Sequence, residues 1–127
     1  MIYLKTFEGK NKNITCGELK QGCLDYLHYL EDSDIDFSWY IFCNSYNNNQ
    51  DMEEGADYID IQIINNKYFS KDSISPILNL IYDYLLRVGF QIPEWNDIKR
   101  MDHGKFYYLN LTSFHNEHGE IHTHKMR

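Results

Sequence analysis

Four histidines, His115, His118, His122 and His124, fall within the last 13 residues of this 127-residue chain. His122 and His124 stand two apart, so on a strand they share one face. A pair of imidazoles placed in this way could begin a metal site. Zinc needs three or four ligands, and the nearest additions are His115, His118, Glu117 or Glu120 across a hairpin. The spacing matches no zinc motif, so the expectation is a solvated or interface-lining hairpin with no metal and no cofactor. A small metal-binding protein or enzyme using these histidines is the alternative. Asp32, Asp34 and Asp36 have the alternation that opens a calcium loop. Counting onward breaks the match: Phe37 stands where the loop needs Gly, and Cys43 where a bidentate Glu should be. An acidic loop closing a helix end is expected instead.

The cysteines, Cys16, Cys23 and Cys43, are odd in number and form no C-x-x-C pair. That suits reduced thiols in a cytoplasm better than a disulfide framework, with the thiols as small core or helix-face residues. The start of the chain has no basic region followed by an apolar stretch, and no segment has the roughly 18 apolar residues of a membrane span. The expectation is a cytoplasmic protein. No nucleophile elbow, phosphate-cradling loop, H-E-x-x-H or dinucleotide fingerprint is present, so no catalytic residue is assigned and a non-enzymatic role is expected.

Charge carries more information. Between Gln21 and Asn66 there is no Lys or Arg, while Asp25, Glu31, Asp32, Asp34, Asp36, Asp51, Glu53, Glu54, Asp57 and Asp60 all fall there. That segment carries a formal −10 against −7 for the whole chain, which leaves +3 for the rest. Gathered like charges repel one another unless a cationic partner offsets them, so a basic protein is the natural counterpart. Direct nucleic-acid binding and anionic membrane surfaces are both disfavoured. The aromatics point the same way: there are 11 Tyr and 7 Phe, and Trp39, Tyr40, Phe42, Tyr46 and Tyr58 lie in or beside the acidic strands. Tyrosine is enriched at protein interfaces, where an apolar body keeps a polar tip wet. The expected partner-binding set is therefore Asp32, Asp34, Asp36, Trp39, Tyr40, Tyr46, Asp51, Glu53, Glu54, Asp57, Tyr58 and Asp60.

An acidic face with aromatic anchors can fill the basic cleft of a protein that acts on nucleic acid, with charge speeding encounter and desolvated rings supplying affinity. In size, acidity, thiol state and absence of a catalytic motif, though not by any motif, the chain resembles the small acidic immunity proteins with which bacteria neutralise nuclease toxins. The resemblance implies a non-enzymatic inhibitor that occludes a toxin's active site. A phage-encoded inhibitor of a host nuclease defence system has the same physics and is the alternative.

Several elements must position these residues. Ile2, Leu4 and Thr6 alternate with Tyr3, Lys5 and Phe7 as a first strand. Thr15 with Glu18 forms a capping box, and Leu19, Cys23, Tyr26, Leu27 and Leu30 make the stripe of a helix over Cys16 to Glu31. Phe37 to Asn44 reads as a strand with bulky groups on both faces, 44–57 as a loop, and Ile59, Ile61 and Ile63 as a one-sided strand pairing antiparallel with it. Ser75 before Pro76 starts a second helix, striped by Ile77, Ile81, Tyr84, Leu85 and Val88 and stopped by Gly89. The tail reads as hairpins: a turn at Asp102-His103-Gly104, a strand from Phe106 to Phe114, a turn at 116–119 and a last strand from Glu120 to Met126. The length and the order strand, helix, two strands, helix, meander predict one α+β domain over 1–127, two helices on an antiparallel sheet. The arrangement expected is ferredoxin-like (split βαβ) with extra C-terminal strands.

Overall fold

A computed structural model describes residues 14–33, 35–45, 55–91 and 93–116. The expected first strand, the acidic run 46–54 and the C-terminal hairpin with His118, His122 and His124 lie outside the described residues.

The first helix, α1, spans Cys16–Leu27 and opens where the capping box sits. The Thr15 hydroxyl accepts from the Glu18 N–H at 3.1 Å, and the Glu18 carboxylate accepts from the Thr15 N–H at 3.2 Å. Two otherwise unpaired helix-end donors are thereby satisfied. A 3-10 turn over His28–Asp32 continues the chain. The second helix, α2, covers Ser75–Arg87 with Pro76 in its first turn. It stops as its composition requires: Gly89 takes a left-handed φ of 96°. The N–H of Phe90 then reaches the Leu85 carbonyl at 3.0 Å and that of Gly89 the Leu86 carbonyl at 3.2 Å, the Schellman closure.

Five strands follow in the order β1 (Ser38–Asn44), β2 (Tyr58–Asn65), β3 (Glu94–Trp95), β4 (Lys99–Met101) and β5 (Phe106–Phe114). β2 lies between β1 and β5, and the short β3 and β4 share the far side of β5. Every pairing is antiparallel. The fold is therefore α+β, with two helices and an antiparallel sheet among the described residues. Its strand order is not the split βαβ order, in which the strand corresponding to β2 has a parallel neighbour; both sides of β2 are already taken, by β1 and by β5. The reason lies in the turn at Asp102, His103 and Gly104, all with positive φ. It folds β5 straight back on β4, so the returning strand takes the inner seat and the outgoing strands are left outside.

Both helices pack on one face of the sheet. Ile59, Ile61, Ile63, Leu109 and Leu111 have no exposure and meet Leu19, Cys23 and Leu27 of α1 and Leu78, Ile81 and Leu85 of α2 in one hydrophobic cluster. Each such side chain contributes about 1.5–3 kcal/mol by leaving water. Trp95 ties β3 to α2 by donating its indole N–H to the Leu78 carbonyl at 3.2 Å. No helix among the described residues is long and apolar enough to cross a membrane.

Candidate functional site

Successive side chains on a strand point to opposite faces, and the register decides which ones meet. Cys43 on β1 lies against Cys16 of α1, with the sulfurs 2.9 Å apart, so Trp39, Ile41 and Cys43 face the helices. The residues between them, Tyr40 and Phe42, face away. Register carries that alternation across the sheet: Tyr40 pairs with Gln62 and Phe42 with Asp60. Gln62 in turn opposes Asn110, Asp60 opposes Thr112, and Tyr58 opposes Phe114. Glu94 on β3 stands across from Thr112. Two helices cover one side of this sheet, and the other carries an aromatic and amide surface with Asp60 on its central strand.

The rings are grouped. Phe42 meets Tyr58 edge-on at 6.0 Å, and Tyr58 meets Phe114 at 5.2 Å, spacings at which aromatic quadrupoles attract. Burial, followed by the neighbouring Asp60 charge, raises the Tyr58 phenol above its usual value, so it remains a neutral hydrogen-bonding tip at physiological pH. Tyr40 is 60% exposed. Asp60 accepts a long hydrogen bond of 3.4 Å from the Asn110 amide, whose oxygen accepts at 2.9 Å from Asn96. These are polar contacts without compensating charge. Among the described residues, Asp25, Asp32, Asp36 and Asp60 make no ion pair, whereas Asp97 pairs with Lys71 at 3.4 Å.

Of the partner-binding residues expected from the sequence, Tyr40, Tyr58 and Asp60 come together on the face away from the helices. Asp32 and Asp36 are exposed at the end of β1 that follows the 3-10 turn. Trp39 does not join them: it faces the helix side and packs edge-on against His28 at 5.7 Å. Asp57 is only 6% exposed, where β1, β2 and β5 converge. Its N–H donates to the Asn44 carbonyl and its carbonyl accepts from His115 N–H, both at 2.9 Å. It therefore sits in a buried main-chain junction rather than on the exposed surface with Asp32 and Asp36. Asp34, Tyr46, Asp51, Glu53 and Glu54 lie outside the described residues. Phe114, Asn110, Thr112 and Glu94 were missing from the expected set. The first three had a signal, because Phe106, Tyr108, Asn110, Thr112 and Phe114 alternate with the apolar Leu109 and Leu111.

The remaining chemistry is quiet. Burial pushes the Cys23 thiol up to about 12 and the Cys43 thiol upward too. Both therefore stay protonated, opposite to what a nucleophile needs. No group of three His, Cys, Asp or Glu side chains among the described residues is arranged to hold a metal. An open trough of about 630 Å³ runs beside Asp36, Ser38, Ile64, Lys67 and Phe106, at the end of the sheet away from the Phe42–Tyr58–Phe114 group. Compared with protein-family models, curated proteins and solved structures, the chain matches none.

Proposed function

We propose that the chain is a non-enzymatic protein-binding inhibitor whose sheet face away from the two helices docks on a basic protein, of the kind a nuclease toxin or nuclease effector presents around its active site. One observation carries this reading: Tyr40, Phe42, Tyr58 and Phe114 gather around Asp60 on the face away from the helices, with no Lys or Arg among the described residues paired to that carboxylate. Rings with little rotamer freedom supply contact area, and a carboxylate at their centre selects a cationic group. The acidic residues at the exit of α1 extend the negative field toward an approaching partner and speed encounter. An immunity protein and an inhibitor of a nuclease defence system would use the same surface.

The test is capture and inhibition. The immobilised chain should retain a basic protein from lysate of its own cells, and that protein, once purified, should degrade nucleic acid and stop doing so when the chain is added. Asp60→Lys and Tyr58→Ala, each with an unchanged circular dichroism spectrum, should lose capture by about tenfold or more, as charge reversal and loss of a central ring do at interfaces. Equal capture by the parent and both folded variants would contradict the reading.

A further inference from the structure

The two edges of the sheet are built differently. One is shared by β3 and β4, only two and three residues long. They carry Glu94, Lys99 and Arg100 and are preceded by the buried Pro93. Short strands, charge and proline are the devices by which proteins keep a sheet edge from pairing with another chain. The other edge is β1, seven residues of sequence SWYIFCN with no charge and no proline. Its inner side is paired with β2 along its whole length, and no strand among the described residues lies beyond it. An edge strand turns every second N–H and C=O outward, so β1 presents a row of donors and acceptors that no strand among the described residues pairs.

The surroundings give that edge a sign. His28 packs on Trp39 of β1 and contacts the Glu31 carboxylate at 3.2 Å, which puts the acidic exit of α1 beside the strand. Glu31, Asp32 and Asp36 are exposed there, and the chain has no Lys or Arg from Gln21 to Asn66. The side chains flanking the edge are large and apolar: Tyr40 and Phe42 toward the open face, Trp39 and Ile41 toward the helices.

We propose that β1 is a strand-addition site on which a basic protein partner lays an extended segment, apolar at alternate positions and flanked by Lys or Arg. Main-chain hydrogen bonds would supply affinity, and the acidic surroundings would select the basic flanks. This deepens the proposed function and rests on the reading of the chain as a binder of a basic protein. It adds that the partner's strand extends the sheet, so its neighbouring surface reaches Tyr40 and Phe42 from the side.

The experiment uses the full chain, labelled with nitrogen-15, and a synthetic peptide of alternating Val and Thr with Lys at both ends, which serves either strand direction. Amide exchange should slow about tenfold or more at alternate residues of Ser38–Asn44 and stay unchanged on β3 and β4. A peptide with Glu in place of Lys should bind about tenfold more weakly. One with Pro at its centre, lacking a donor, should give no protection. Unchanged exchange in β1 with the Lys-flanked peptide, or equal protection by the Pro peptide, would overturn the proposal. If the peptide leaves β1 unmoved while Asp60→Lys and Tyr58→Ala still abolish protein capture, strand addition fails and the face reading stands. If the peptide protects β1 but those variants capture normally, the face reading fails instead.

Discussion

The same two strands build two opposite surfaces. On the helix side, β2 and β5 present Ile59, Ile61, Ile63, Leu109 and Leu111, all without exposure. On the far side the intervening positions are Tyr58, Asp60, Gln62, Tyr108, Asn110 and Thr112, none of them fully buried. The first set is aliphatic and unable to hydrogen-bond; the second is aromatic, amide and carboxylate, each side chain with a polar group to offer. Stability on a sheet comes from area removed from water, whereas recognition comes from polar tips and stiff rings left within reach of a partner. The contrast separates what holds this fold from the face proposed to meet a partner, and substitutions on the two sides should fail in different ways.

The largest expected effect is on the covered side. Ile61→Ala should cost about 2–5 kcal/mol, read as a lowered urea midpoint with unchanged slope, because the pocket between two helices cannot fully collapse. A cost as small as that of a surface change would mean the helix side is not the core. Next comes the helix layer's response to alkali. Burial raises the Cys23 thiol from 9.0 to about 12 and the Tyr84 phenol from 10.0 to about 12. Both folded values lie above the unfolded ones, so their contribution is fully present below pH 9.0 and is lost as pH climbs toward about 12. The urea midpoint should be level through neutral pH and fall above it, and Cys23→Ala should delay the fall. A midpoint that falls equally early in Cys23→Ala would show that the thiol is not its source.

Smaller still is the helix cap. Thr15→Ala removes the hydroxyl that receives the Glu18 N–H and should cost about 0.5–2 kcal/mol. On the open side, Tyr40→Ala, at 60% exposure, should change stability by no more than about 0.5 kcal/mol. A loss of several kcal/mol there would show that Tyr40 packs the molecule rather than facing a partner, and would dissolve the contrast between the two sides.

Local signals in the sequence were legible, and the arrangement they build was much less so. Thr15 with Glu18, Ser75 with Pro76, Gly89 and the run Phe106–Phe114 each mark a boundary by chemistry confined to a few residues, and the structure places its elements there. The apolar stripe of the second helix runs through Ile77, yet the helix buries the adjacent Leu78, because both are apolar and only the sheet beneath decides between them. Strand order depends on which seat a returning strand takes, and alternation along one strand says nothing of its neighbours. β3 and β4 are too short to show a period. For the site, alternation separates Trp39 from Tyr40 but cannot say which side the helices cover, since β1 is bulky on both. Composition groups Asp57 with Asp60, whereas three residues of strand put one in a buried junction and the other on the open face.

The most direct measurement compares the two sides in the cell. A photo-crosslinking phenylalanine analogue placed at Tyr40 on the open face, or at Leu80 on the exposed outer surface of α2, would be activated by light in cells expressing the chain, and adducts identified by mass spectrometry. One basic protein should be joined through position 40, absent from position 80, and lost when Asp60→Lys is added. Adducts of equal yield from both positions, or a position-40 adduct that survives Asp60→Lys, would contradict the proposed docking face.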